Sequence, residues 1–246
     1  MLSRLPMQLS DPLISVVVPV RDEGPNIAPL IAEIRAALAH VAHEIVYVDD
    51  ASLDDTPQRL REAGVVWRRH ATGCGQSAAI VTGVRAARGL WIATLDGDGQ
   101  NDPADIPTLL MRAQAERGPG PLLIAGHRAH RQDSRVKRLS SRIANTARAR
   151  LLGDDTADTG CGLKLFHRED LLTLPQFDHM HRYLPALFLR AGGQVVSVPV
   201  NHRPRTRGAS KYGTLDRLWV GIFDLAGVFW LQRRGRRPVI EAQSDG

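Results

Sequence analysis

The sequence predicts an α/β protein: a mostly parallel sheet with helices on both faces. Three observations predict it. Short runs of Val, Ile and Leu alternate with helical stretches over the first two-thirds of the chain. The runs are nearly continuous in apolar character, as in strands covered on both faces, and turn residues bound them. Pro57 and Pro103 stand where helices would start, in the first turn, where proline is tolerated. In chain order the predicted strands are Ile14–Val18, Glu44–Val48, Val65–Arg68, Trp91–Leu95 and Leu122–Ala125. The helices between them are Asn26–Ala39, Thr56–Ala63, Gln76–Ala87 and Pro103–Glu116. After residue 126 the pattern changes. A basic helix over about 134–152 leads to a polar loop at Gly153–Gly162 and a strand at Leu163–His167. A helix at His181–Ala191, a strand at Val195–Val200, a loop at Asn201–Tyr212 and an apolar stretch at Leu215–Leu231 follow.

Composition bounds the function. The 246 residues suffice for one large domain with a tail, and 43% hydrophobic with 24% charged residues is globular in character. Two cysteines, Cys74 and Cys161, exclude a disulfide framework and a cysteine-based zinc cluster and suit a reducing cytosol. Neither a signal-peptide run nor an apolar stretch of bilayer-spanning length is expected. The net charge of +6 is unevenly placed: 127–150 holds eight basic residues against Asp133 alone. Arg203, Arg205, Arg207 and Lys211 form a second basic run, and Arg233, Arg234, Arg236 and Arg237 a third. Such clusters suit phosphates, nucleic acid or an acidic membrane surface.

Ligands of parallel sheets bind outside the carboxyl ends of the strands. There the sequence places Arg21-Asp22-Glu23, Asp49-Asp50 and Asp96-Gly97-Asp98-Gly99-Gln100. Carboxylates crowded on one rim repel one another unless a cation or hydrogen-bond donors intervene. Strand alternation would send Asp96 and Asp98 the same way, with Gly97 and Gly99 opening the backbone to a ligand. Asp96, Asp98 and Gln100 are hard oxygen ligands suited to Mg²⁺ or Mn²⁺, and such sites usually share the metal with substrate phosphates.

The ordered phrases VVVPVRDE (16–23), VDDASLDDT (48–56), GCGQSAAIVTGVRAARG (73–89) and DGDGQNDP (96–103) resemble the family 2 glycosyltransferases. AGHR (125–128), DTGCGLKLFHRE (158–169), HRYLPALFLRAGG (181–193) and RTRGASKYG (205–213) resemble the polyprenol- and dolichol-phosphate sugar transferases, typified by dolichol-phosphate mannose synthase. The resemblance implies a GT-A fold over 13–213 and a nucleoside pocket lined by Pro19, Arg21, Glu23, Val48 and Asp50. An aromatic residue is common where this chain has Arg21. It further implies that Asp96, Asp98 and Gln100 hold the metal and diphosphate, with Asp98 in the catalytic set. Arg128 and Arg142 match basic positions of the family site, and Arg205 and Lys211 match the loop that closes over donor phosphates. Asp158 and Lys164 fall in a motif on the acceptor side. The implied reaction moves sugar from a nucleotide-diphosphate sugar to a lipid phosphate with inversion. The lipid monophosphate is largely dianionic at neutral pH and needs no strong base. The expected location is peripheral, on the cytoplasmic face of the membrane. Residues 214–246 would serve as an amphipathic, basic anchor, because Leu215, Leu218, Trp219, Ile222, Phe223, Ala226, Phe229 and Trp230 recur at helical spacing.

Rival readings have specific weaknesses. Gly73-Cys74-Gly75-Gln76-Ser77-Ala78 imitates a dinucleotide fingerprint, but it does not follow the first strand. A nucleic-acid binder would interleave aromatics with its basic residues, and only 5% of residues are aromatic. A glycosyltransferase with a non-lipid acceptor stays open, as does the sugar itself. The nine histidines form no metal motif, and His179-Met180-His181 reads as surface or packing.

Overall fold

The computed structural model describes residues 12–116, 118, 120–128, 148–156, 158–204 and 214–234, with side chains of 214–220 excluded. The strands are β1 (Ile14–Val20), β2 (His43–Asp49), β3 (Val66–Arg69), β4 (Trp91–Thr94), β5 (Leu122–Arg128), β6 (Lys164–His167) and β7 (Gln194–Val200). The helices are α1 (Gly24–Ala37), α2 (Thr56–Glu62), α3 (Gly75–Ala86), α4 (Ile106–Ala115), α5 (Arg168–Leu172), α6 (Leu184–Arg190) and α7 (Thr214–Arg234).

One seven-stranded sheet runs β3-β2-β1-β4-β6-β5-β7. The pairings β1–β2, β1–β4, β2–β3 and β5–β7 are parallel; β6 alone runs antiparallel, between β4 and β5. Side-chain alternation divides the core. Val16 and Val18 face one apolar layer with Ile27, Ile31 and Ile34 of α1. Val17 faces the other, with Ile80 and Val84 of α3 and Leu187 and Phe188 of α6. The sheet is thus covered on both sides, as the near-continuous apolar runs predict. At the edge, β3 carries Arg68 and Arg69, charges that oppose pairing with another chain.

The reversed strand positions the chemistry. Thr94, the last residue of β4, pairs with Lys164, the first of β6. The 154–163 loop therefore arrives at the edge where β1, β2 and β4 end. A parallel strand would have delivered that loop to the opposite side of the sheet.

Several boundaries differ from the sequence reading. The predicted Pro103–Glu116 helix is a 3₁₀ turn, Pro103–Asp105, followed by α4, because Asp102 caps the Ala104 amide at 3.0 Å. The helix predicted from His181 starts at Leu184; a 3₁₀ turn at Met180–Arg182 follows His179, whose φ is +62°. α5 was not anticipated. The basic helix is described only at 148–152, and the rest of that expectation lies outside the described residues.

α7 does not have the single apolar face its spacing suggests. Val228 is buried, and Leu225, Phe229 and Leu231 pack against the core. Gln232 Nε2 donates to Leu152 O at 2.9 Å, and Tyr183 Oη donates to Gly221 O at 3.2 Å. Phe223 and Trp230 point elsewhere, 72% and 59% exposed. Packing against the protein and an outward apolar strip thus coexist on one helix.

Candidate active site

The ends of β1, β2 and β4 bring the predicted acids to one rim, but most of those acids serve the fold. Asp50 Oδ1 accepts the Cys74 amide at 2.7 Å and meets His70 Nδ1 at 2.8 Å, while Oδ2 accepts the Gly75 amide at 2.8 Å. Burial pushes the Asp50 pKa up, yet these donors outweigh it and hold the carboxyl below its ordinary range. The glycine loop that imitates a dinucleotide site therefore has its amides bound by a side chain of the protein. Asp49 Oδ1 accepts the Ser52 amide, and its Oδ2 lies 3.2 Å from Arg69 Nε. Asp22 Oδ1 accepts the Leu53 amide at 2.6 Å, and Glu23 Oε2 accepts from Asn26 at 2.7 Å. Arg21 is exposed and lies over Gly73, where a Cβ would sit 2.7 Å from its Nη1. Pro19 is partly accessible. Val48 is fully buried and packs on Gly83 of α3, so its side chain belongs to the core and not to a nucleoside pocket.

The turn after β4 is different. β4 ends at Thr94, so residues 96–100 lie beyond the strand, in a turn, and strand alternation does not aim Asp96 and Asp98. Asp98 Oδ1 instead accepts the Gln100 amide at 3.1 Å, a local turn. Asp96 Oδ1 accepts from Gln76 Nε2 at 2.8 Å, and a Cβ on Gly162 would lie 2.2 Å from Asp96 Oδ2. Gly97 serves packing, not ligand approach: a Cβ there would stand 2.4 Å from Val20 Cγ1. Gly99, at φ +74°, has open space around it. Gln100 Nε2 faces Arg203 O at 3.4 Å.

The 154–164 loop completes the site. Lys164 is 3% exposed; its Nζ donates to Thr159 O at 3.2 Å and to Cys161 O. Arg128, at the end of β5, meets Asp158 with Nε–Oδ2 at 2.6 Å and Nη2–Oδ1 at 2.8 Å. This two-pronged pair matches the Arg128 charge. Arg142, Arg205 and Lys211 lie outside the described residues.

A cavity of about 220 Å³ lies between Asp96 and Lys164. Its wall includes Gln76, His181 and Arg182, residues that sequence reading missed or assigned to packing. Only the first has a sequence signal, as the residue that opens α3 behind the glycine loop. The Ser77–His181 contact spans 104 positions and leaves no local trace.

The sequence pattern of glycosyl transferase family 2 matches residues 15–174. The chain belongs to that family. Dodecaprenyl-phosphate galacturonate synthase of Rhizobium johnstonii is 34% identical over 236 residues, 92% of this chain and 69% of its own length. Undecaprenyl-phosphate 4-deoxy-4-formamido-L-arabinose transferase of Pseudomonas fluorescens is 34% identical over 86% of this chain and 63% of its own. This glycosyltransferase thus spans about two-thirds of the length of such relatives. Mannosyl-3-phosphoglycerate synthase of Rubrobacter xylanophilus shares the GT-A fold at TM-score 0.68 and 16% identity, over 95% of this chain and 79% of that one. Glucosyl-3-phosphoglycerate synthase of Mycobacterium tuberculosis, solved with Mn²⁺, UDP and product, superposes at TM-score 0.63 and 21% identity over 90% and 80%.

In this glycosyltransferase the Asp96–Asp98 turn fits a divalent cation. Burial, then repulsion from Asp98, raise the Asp96 pKa from 3.8 to about 6, against the pull of Lys164, Gln76 and Arg128. An acid whose folded pKa is raised costs stability where it ionises: nothing below about 4, the whole penalty above about 6. That penalty is on the order of 3 kcal/mol. Asp96→Asn is therefore expected to raise the melting temperature of metal-free protein at about pH 7.5 and to leave it unchanged near pH 4. Melting curves at the two pH values check this; an equal offset at both would contradict it.

Proposed function

We propose that this glycosyltransferase moves a sugar from a nucleoside-diphosphate sugar to a polyprenyl phosphate, with Mg²⁺ or Mn²⁺, at the cytoplasmic face of the membrane. The observation that carries the reading is the Asp96–Asp98 turn: a mutually repelling carboxylate pair on the rim of the sheet, next to a buried ammonium and a cavity. Asp96, Asp98 and Gln100 would hold the cation, which when bound neutralises charge on the departing diphosphate. Arg142, Arg205 and Lys211 supply further positive charge for phosphates, and Arg128 joins them by exchanging Asp158 for a phosphate oxygen. Pro19, Arg21 and Glu23 border the nucleoside. Asp50 acts through the 73–75 loop, which it anchors by two amides. Asp158 and Lys164 shape the acceptor side. An oxygen of the lipid phosphate forms the new bond at the anomeric carbon as the bond to the nucleoside diphosphate breaks. One displacement inverts that centre, and a phosphate dianion attacks without first losing a proton. Nucleic acid has no place in this reading. Thermal stabilisation by UDP-sugars and GDP-mannose tests it: stabilisation is expected only with divalent cation and should vanish with EDTA. Equal stabilisation without metal would overturn the metal assignment.

Membrane attachment belongs to the same proposal. No helix among the described residues is long and apolar enough to cross a bilayer. The outward strip of α7, with Ile222, Phe223 and Trp230, ends beside Arg233 and Arg234. Half-burying three such side chains in an interface contributes roughly 2–5 kcal/mol, and each arginine near anionic lipid about 1 more. Phe223→Ser with Trp230→Ser is expected to reduce sedimentation with anionic liposomes at least about tenfold without changing nucleotide-sugar binding, because neither side chain packs on the core. Undiminished sedimentation would remove α7 as the anchor.

A further inference from the structure

His181 and Arg182 stand on the wall of the cavity beside Asp96, in the 3₁₀ turn before α6. The Ser77 hydroxyl accepts the His181 backbone amide at 3.2 Å and lies 2.7 Å from His181 Nδ1. In the neutral tautomer that takes the hydroxyl proton at Nδ1, the ring carries its own proton on Nε2. Burial and the nearby charges of Lys164, Arg182 and His179 push the His181 pKa down to about 3, which keeps the ring neutral. Among the described residues Nε2 has no partner, and it is left as an N–H donor at the cavity. Arg182 is partly buried beside it on the cavity wall, and among the described residues its guanidinium meets no carboxylate and no carbonyl. The other cations of the site are differently placed: Arg128 is matched by Asp158, and Lys164 by two carbonyls. A half-buried guanidinium with no counter-charge among the described residues is costly unless a ligand supplies one. The cavity, at about 220 Å³, is below the roughly 300–1,000 Å³ of drug-sized sites and suits one small group rather than a nucleotide.

We infer that His181 Nε2–H and the Arg182 guanidinium form an oxyanion subsite, in the cavity that Asp96 also lines, for a carboxylate or a phosphate monoester. Resting on the glycosyltransferase reading, the inference leaves two sources for that anion: a carboxylate on the donor sugar, or the phosphate of the lipid acceptor. Both are acceptor-only groups, which a planar guanidinium and one N–H recognise together.

The test compares two ligand pairs by calorimetry with Mn²⁺ present: UDP-glucuronate against UDP-glucose, and farnesyl phosphate against farnesol. Wild type should prefer the anionic member of at least one pair by roughly tenfold or more, as expected for a charge-assisted contact. Arg182→Gln should erase that preference, Arg182→Lys should keep part of it, and His181→Phe should weaken it several-fold. The melting temperature of each variant confirms that it is folded. A preference in the first pair assigns the subsite to an acidic sugar; a preference in the second assigns it to the lipid phosphate. Equal weakening of UDP-glucose and UDP-glucuronate by Arg182→Gln, with farnesyl phosphate unaffected, would place Arg182 on the diphosphate and overturn the subsite. An undiminished preference in folded Arg182→Gln, or none in wild type, overturns it too. UDP-glucose binding by wild type with no preference in either pair would sink the subsite and leave the donor reading standing. Loss of all UDP-ligand binding would exclude a UDP-sugar donor, and the farnesyl pair alone would then decide the subsite.

Discussion

Asp98→Asn is expected to lower turnover roughly 10²–10³-fold while the protein stays folded, the loss typical when one stabiliser of developing anionic charge is removed. The substitution keeps the oxygen that accepts the Gln100 amide, so the local turn survives. It removes the charge whose repulsion adds to burial in raising the Asp96 pKa, so metal-free protein should melt no lower than wild type. The defect should lie in the cation and diphosphate, and excess Mn²⁺ should recover only part of it. Turnover within a few-fold of wild type at saturating Mn²⁺ would remove this turn from the catalytic centre.

Lys164→Met is expected to damage the fold as well as the reaction. The ammonium is buried, and Thr159 O and Cys161 O take its protons. Burial lowers the Lys164 pKa, against the pull of Cys161, Asp96 and Asp158. Methionine fills the space but leaves those carbonyls unsatisfied and removes a charge that opposes the rise of the Asp96 pKa. Each buried acceptor left unsatisfied typically costs about 1–3 kcal/mol, which for two of them in a chain of this size lowers the melting temperature by about 10 °C. Thermal unfolding of the metal-free variant checks this. A melting temperature within about 2 °C of wild type would show that Lys164 is dispensable to the loop. The two substitutions therefore differ in kind: one should separate activity from stability, and the other should not.

Much of this was legible in the sequence for a physical reason. Strand–helix alternation and the apolar runs specify the sheet, and a ligand rim follows from the direction of the strands. The Asp-Gly-Asp-Gly turn is local, so its acids can be found without coordinates. What the acids do is not local. Asp50 was expected to face a nucleoside but holds the amides of residues 74 and 75, a contact that depends on how β2 meets α3. Val48 looked like a pocket residue, yet Gly83 of α3 closes over it. The place of Lys164 depends on β6 running against its neighbours, which no periodicity reveals. His181 read as an ordinary histidine because its partner, Ser77, is 104 positions away. In α7, spacing gave the helix but could not divide its apolar residues between core and surface, since both strips repeat at three and four.

The acceptor is the central claim, because the shared fold also serves proteins named for phosphoglycerate products. The most direct measurement follows release of nucleoside diphosphate from donor sugar with Mn²⁺, comparing undecaprenyl phosphate, 3-phosphoglycerate and no acceptor. Release should depend on undecaprenyl phosphate and match, mole for mole, the formation of a glycosyl phospholipid of inverted anomeric configuration. Release driven by 3-phosphoglycerate, or equally fast with no acceptor, would contradict transfer to a lipid phosphate.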